Sequence, residues 1–306
     1  MPPDPNHSSP KRSSLAAVRY ELASSEELAE LLLEVFQAPD YRPPVLPSVA
    51  LEIAALTKKP NASYEEVIAV LQNDPLIVAN VVRVAQSSLY GGRLQSLHNA
   101  VQRLGMNTLR DIVWQVAAGQ RLFTVQRYAP LMERLRAHSI FTANAARIIA
   151  SRAGLAAEHA FLCGLLHDMG TAGTLIALAE VGAQAPPLTN LLMAIDAVHA
   201  QAGTTIAKLW QLAPEVIAAI EHHHRFQPDV GEVPVLCAVL CVADHLAEQH
   251  GFGVSALSAT GSRNVKLDCQ GTTELELARK RLRLQGKQED LDRRMRELAE
   301  QLARTC

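Results

Sequence analysis

Apolar residues along this chain recur mainly at three- and four-residue intervals, broken by polar faces, prolines and glycines, and that period predicts helix. Ser24 and Glu27 form a capping-box pattern ahead of Leu28, Leu31, Leu32 and Val35, so a first helix is expected over 25–37. The stretch YRPPVLP (41–47) is too dense in proline for a helix or a central strand and reads as an extended strap. Ser63 with Glu66 caps a helix that buries Val67, Ile68 and Leu71. Asp74 followed by Pro75 is an N-cap with a first-turn proline, opening LIVANVVRVAQ. Gly91-Gly92 ends that unit, and Gly105 closes the next before a helix containing Ile112, Val113 and Val116. Longer helices are expected over 130–153, 157–166, 188–210, 213–224 and 233–250. No alternating strand or Asn-Gly hairpin stands out, so the expected class is all-α.

The texture changes near both ends. Residues 1–24 open with a Pro- and Ser-rich polar stretch expected to be disordered. Residues 251–271 hold four glycines and three serines and read as a linker or loop. From 272 to 304, nine basic and seven acidic residues are mixed, with Leu277, Leu284, Leu291 and Leu298 seven apart. Met295 and Leu302 fill a second seam, whereas Arg281 and Gln288 occupy the matching earlier positions and Gly286 interrupts. Residues 272–306 are therefore an amphipathic helix with two readings: a coiled coil over its last two heptads, giving a homodimer, or a helix packed back on the body.

Composition narrows the class. With 306 residues, 48% hydrophobic, the chain can bury a large core, and with only 4% aromatics alanine and the aliphatics must fill it. A net charge of −2 argues against a general nucleic-acid or anionic-membrane binder. Five cysteines, at 163, 237, 241, 269 and 306, show no CxxC pairing, so reduced thiols are expected. The N-terminal stretch has no apolar core and no uninterrupted apolar run is long enough to span a bilayer, so a cytoplasmic location is expected.

The candidate chemistry lies in the second half. His138, His167-Asp168, His199, the run His222-His223-His224, and Asp244 each sit in or beside an apolar, alanine-rich stretch. Taken singly each has an ordinary structural reading: a partly buried polar residue, or histidines complementing a helix C-terminus. Taken together, these separate segments bring an imidazole or carboxylate to apolar sequence, where unpaired burial is costly. Such a set suits a transition metal or a cluster of divalent ions. Cys237 and Cys241 share the Asp244 face by helical spacing and read as small core residues.

This spacing resembles the HD superfamily of metal-dependent phosphohydrolases, and within it the HDOD (HD-related output domain) family of bacterial signalling regulators. The resemblance runs over about 41–250, through RPPVLPSVALEIAAL, SYEEVIAVLQNDPLIVANVVRVAQSSLYG, SLHNAVQRLGMNTLRDIV, HSIFTANAARIIA, AFLCGLLHDMG, HAQAGTTIAKLWQLAPEVIAAIEHHHRF and VLCVADHLAE. It implies two packed helical bundles, an N-terminal one over 25–128 and an HD-like one over 129–250. It also implies that His138, His167, Asp168, His199, His223, His224 and Asp244 are ligands of a divalent metal (Fe, Mn, Mg or Zn), with His222 an extra. HDOD proteins are regarded as output modules, so the expected role is signal transduction through a protein partner or a second messenger such as a cyclic dinucleotide or nucleotide. The alternative is a metal-dependent phosphohydrolase with Asp168 catalytic. Against that alternative, Thr171 stands where cyclic-dinucleotide phosphodiesterases carry lysine, RFQPDVGEVP lacks a DGxGYP stretch, and Gln86-Ser87 replaces Asn-Ser. The nearest cations for a phosphoryl group are Arg147 and Arg225.

Overall fold

The computed structural model describes residues 20, 23–44, 47–57, 59, 61–86, 96–181, 186–224, 235–254, 272–284 and 286–303. Among them the secondary structure is entirely helical. In chain order the helices are α1 (Ser25–Gln37), α2 (Ser48–Leu56), α3 (Tyr64–Leu71), α4 (Pro75–Ala85), α5 (Leu97–Arg121), α6 (Ala129–Ala153) and α7 (Ala157–Leu166). They continue with α8 (Met169–Val181), α9 (Leu188–Leu209), α10 (Pro214–His222), α11 (Val235–Gln249), α12 (Thr272–Arg281) and α13 (Gln288–Ala303).

Local signals set most of these boundaries. The Ser24 hydroxyl accepts from the Glu27 amide at 3.2 Å while the Glu27 carboxylate accepts from the Ser24 amide at 2.9 Å, and Ser63 and Glu66 repeat the exchange. Asp74 accepts from the Ile77 amide at 3.0 Å and so caps α4. Gly105, at φ 72° and ψ 165°, is non-helical and divides α5 into two helical pieces at a kink, as expected, and Gly154, also at φ 72°, closes α6 in the left-handed conformation that glycine adopts most easily. Gly91-Gly92 lies outside the described residues.

Two cores result. Helices α2 to α5 bury Ile53, Val67, Leu71, Ile77, Val81, Leu109 and Val113 in the smaller one. The larger is built on α6 to α11, with α6 against α7 and α11, and α9 against α8 and α10. Helix α1 joins this second core, not the first, burying Leu28, Leu31, Leu32 and Phe36 and packing on α9. The proline strap also docks: the Trp210 indole donates to the Pro44 carbonyl at 3.0 Å, and Tyr41 meets Phe36 edge-on. A stretch over His159–Glu180 is apolar and long enough in composition to cross a membrane, but 83% of it is buried inside the protein and the α7–α8 junction interrupts it.

Arg147 of α6 joins the two cores. It donates to Asp111 of α5 at 2.5 Å and to Asn144 at 2.7 Å, and it lies over the Phe161 ring. Burial pushes the Asp111 carboxyl up, and Arg147 and Arg110 oppose that shift.

At the C-terminus, helix breaks after Arg281, and Arg283 and Gly286 take positive φ before α13 begins. Helix α12 packs on α11 and α13 packs on α6. Leu284, Leu291, Met295 and Leu298 are buried in the larger core, and Arg152 pairs with Asp290. Of the two readings of this segment, the heptad leucines follow the second: they serve the chain's own body. The segment is two helices rather than one.

Candidate metal centre

Five points on the helical frame deliver the ionisable side chains. His138 lies in the middle of α6, His167-Asp168 at the junction of α7 and α8, His199 on α9, His223-His224 just past α10, and Asp244 on α11. Small residues at the crossings let these helices come close enough. A methyl group at Gly164 would stand 2.7 Å from the Ala143 Cα, so α7 lies directly on α6. One at Gly170 would overlap the His199 carbonyl oxygen, so α8 sits on α9 beside Gly203. Gly170 lies within the first turn of α8 and permits this close approach.

The imidazoles share one arrangement. Nδ1 of His138 lies 3.1 Å from the Phe252 carbonyl, that of His167 3.0 Å from Gly164, that of His199 3.0 Å from Asp196, and that of His223 2.6 Å from Ile220. A carbonyl only accepts, so each Nδ1 carries the proton and each Nε2 of a neutral ring presents a lone pair. Those Nε2 atoms converge. His138 and His167 are 3.2 Å apart, His199 and His223 3.3 Å, and His199 and His224 2.6 Å.

Asp168 lies between the two groups. Its Oδ2 is 3.4 Å from His167 Nε2 and 3.5 Å from His138 Nε2, and its Oδ1 is 3.3 Å from His223 and 3.8 Å from His199. Asp244 Oδ1 is 3.3 Å from His138 Nε2. Two donor sets follow, Asp168 with His199, His223 and His224, and Asp168 with His138 and His167. His222 belongs to neither. His199 and His223 bring their Nε2 atoms to within 3.3 Å of each other, a spacing at which a shared cation could take both as ligands. Backbone-held Nδ1 protons behind convergent Nε2 atoms and a shared carboxylate are what a divalent ion requires, so the residues fit a metal.

Electrostatics divide the cluster. Burial, reinforced by His167, pushes His138 down to about 4, and burial also lowers His199. Burial and its neighbours His223 and His199 drive His224 far down. His167 moves the other way, up to about 9: burial alone would lower it, but the Asp168 carboxylate beside it prevails. Burial alone would raise Asp168, and the His167 charge and hydrogen bonds instead hold it well below the carboxylate range. Burial thus disfavours charge on His138, His199 and His224, while Asp168 favours a proton on His167, whose place a bound metal would take.

A narrow pocket opens onto the cluster. Its polar lining is His138, Asp168, Thr171, His199, Asp244 and Glu248, and the rest is aliphatic. No lysine or arginine is among the described residues that line it. Arg147, the sequence-level candidate for a phosphate contact, is committed to Asp111 instead, and Arg225 lies outside the described residues. Glu248 escaped the sequence reading, although its spacing of four from Asp244 on α11 places both on one face. The carbonyl of Phe252 escaped it too, since a backbone acceptor leaves no mark on side-chain pattern.

Comparison with known proteins agrees with the all-helical fold. The model of the HDOD domain matches residues 44–226. Ribonuclease Y of Mycoplasma mycoides is 29% identical over 160 residues, covering 50% of this chain and 32% of that protein. The curated relatives are all longer, and the chain spans 26% to 41% of their length. A Geobacter sulfurreducens structure, an HDOD domain protein with unknown function, superposes at TM-score 0.63 and 22% identity, covering 90% of this chain and 98% of that one. A Shewanella amazonensis SB2B structure, proposed to be a metal-dependent phosphohydrolase, gives TM-score 0.60 at 23% identity, covering 84% and 90%.

Proposed function

Since the chain belongs to the HDOD domain family, we propose that it is a signal-transduction module whose His/Asp centre holds divalent metal in a regulatory role, with output through a protein partner or a second messenger. His138, His167, Asp168 and Asp244 would hold one ion, and Asp168, His199, His223 and His224 a second. A bound divalent ion would act as a Lewis acid and lower the pKa of bound water. The chain's own residues orient the donors: the backbone carbonyls fix each imidazole, and the aliphatic lining limits water.

The observation that carries the regulatory reading is the charge of the pocket. A phosphoester enzyme needs cations or donors for the charge that builds on the phosphoryl oxygens. Here, among the described residues, Asp168, Asp244 and Glu248 line the pocket and Thr171 is its one hydroxyl donor, so from these residues a phosphate would meet only the metal and Thr171. A module that senses or displays its metal needs no such donors. The partner, the location in the cytoplasm and the identity of the ion are part of this proposal and rest on the family resemblance.

A second reading, a metal-dependent phosphohydrolase, is favoured by the complete donor set and by the likeness to ribonuclease Y. The two separate on turnover. Chain loaded with manganese or iron is assayed against cyclic dinucleotides, nucleotides and a generic phosphodiester. The regulatory reading predicts no hydrolysis above a Asp168→Ala control. Hydrolysis that this substitution abolishes establishes the enzyme.

A further inference from the structure

The short turn that follows α11, Gly251–Val254, packs over the His138 side of the cluster. Four contacts hold it there. His138 Nδ1 donates to the Phe252 carbonyl at 3.1 Å, and Arg134 Nε, one helical turn before His138 on α6, donates to the Gly253 carbonyl at 2.7 Å. The Phe252 ring stacks on Phe141, centroids 4.7 Å apart, and Val254 is buried along the pocket. The Glu248 carboxylate occupies the space where a side chain at Gly253 would begin, so any such side chain must push that carboxylate aside. Among the described residues no comparable turn stands behind His199 or His223, whose Nδ1 protons go to carbonyls of their own helices.

We infer that Arg134 is a positioning residue for one half of the centre: by pinning the Gly253 carbonyl it holds the Phe252 carbonyl on His138 Nδ1 and so aims His138 Nε2 at the ion. The inference rests on the metal reading. A ligating imidazole owes its ring orientation and tautomer to the acceptor behind it, and losing that acceptor lowers metal affinity about 10- to 100-fold. For His138 the acceptor comes from a turn 114 residues away in sequence, so its position depends on whatever holds that turn. Arg134 spans the gap between α6 and the turn. Aliphatic replacement would release the Gly253 carbonyl without touching any donor of the ion. Among the described residues no hydrogen bond ties His199, His223 or His224 to the turn, so that set is expected to keep its affinity.

The test is calorimetric titration of the full chain with manganese after chelator stripping, for the wild type, Arg134→Met, Arg134→Lys and Gly253→Ala. His199→Ala, which removes a donor of the other set, marks which binding step belongs to which set. The expected result is that Arg134→Met and Gly253→Ala weaken the His138 step by roughly tenfold or more and leave the His199 step in place. Arg134→Lys, which keeps a donor for the carbonyl, recovers much of the loss. Equal weakening of both steps, alongside a fall in Tm of the stripped protein, would assign Arg134 a purely structural role and overturn the inference. So would unchanged titrations in both variants. A wild type that takes up no manganese overturns the metal reading itself, and the inference with it.

Discussion

Asp168 is the residue on which the centre depends, because its two oxygens face different sets of histidines. Its replacement by alanine is predicted to remove both ions, whereas His199→Ala removes one, a difference that metal stoichiometry by mass spectrometry reads directly. The donor side chains were legible in the sequence because histidine and aspartate in alanine-rich apolar helix need partners. The roles of the glycines were not, since a glycine at a helix end and one at a crossing look alike. Gly170→Ala is predicted to force α8 off the His199 carbonyl and lower stability by about 1–3 kcal/mol, as overpacking does, measured by denaturant unfolding. The thiols give a third outcome. Burial pushes Cys237 up to about 12 and raises Cys163 further, so the nucleophilic thiolate is absent near neutral pH. Peptide mapping after iodoacetamide should show Cys163 and Cys237 unmodified until the protein is denatured.

Among the elements, capped helices could be read in advance and uncapped ones could not. The boxes at Ser24 and Ser63 and the Asp74-Pro75 start set α1, α3 and α4 within a residue. Helix α8 is not among the expected helices, because MGTAGTLIALAEV carries Gly170 and Gly173 in its first turns and has no amphipathic period. It is apolar all round because α9 and other neighbours cover it. The C-terminal segment posed the opposite difficulty: its leucine heptad is equally good as a seam between chains and as a face for α6. Burial of Leu291, Met295 and Leu298 within the chain predicts that Met295→Ala costs about 2–5 kcal/mol in urea unfolding. A midpoint within error of wild type would contradict that packing.

For the whole molecule, the all-α class follows from the period of apolar positions, but the assembly of two cores does not. Long-range pairs such as Arg147 with Asp111 carry no sequence signature, and nothing in the pattern of α1 shows that it packs on α9 rather than on α2. Removing Asp111 would leave Arg110 and Arg147 without their carboxylate between the cores. Asp111→Ala is predicted to destabilise by about 1–3 kcal/mol, the cost of losing charge-assisted hydrogen bonds to a partly exposed arginine, as measured by thermal unfolding. The central claim is that this frame exists to hold divalent metal. Elemental analysis tests it most directly, on wild-type chain and a His167→Ala/Asp168→Ala variant, both purified without chelator. The account predicts metal in the wild type and none in the variant. A wild type that is empty and also refuses added manganese and iron would contradict it, and would leave the cluster as a buried polar network.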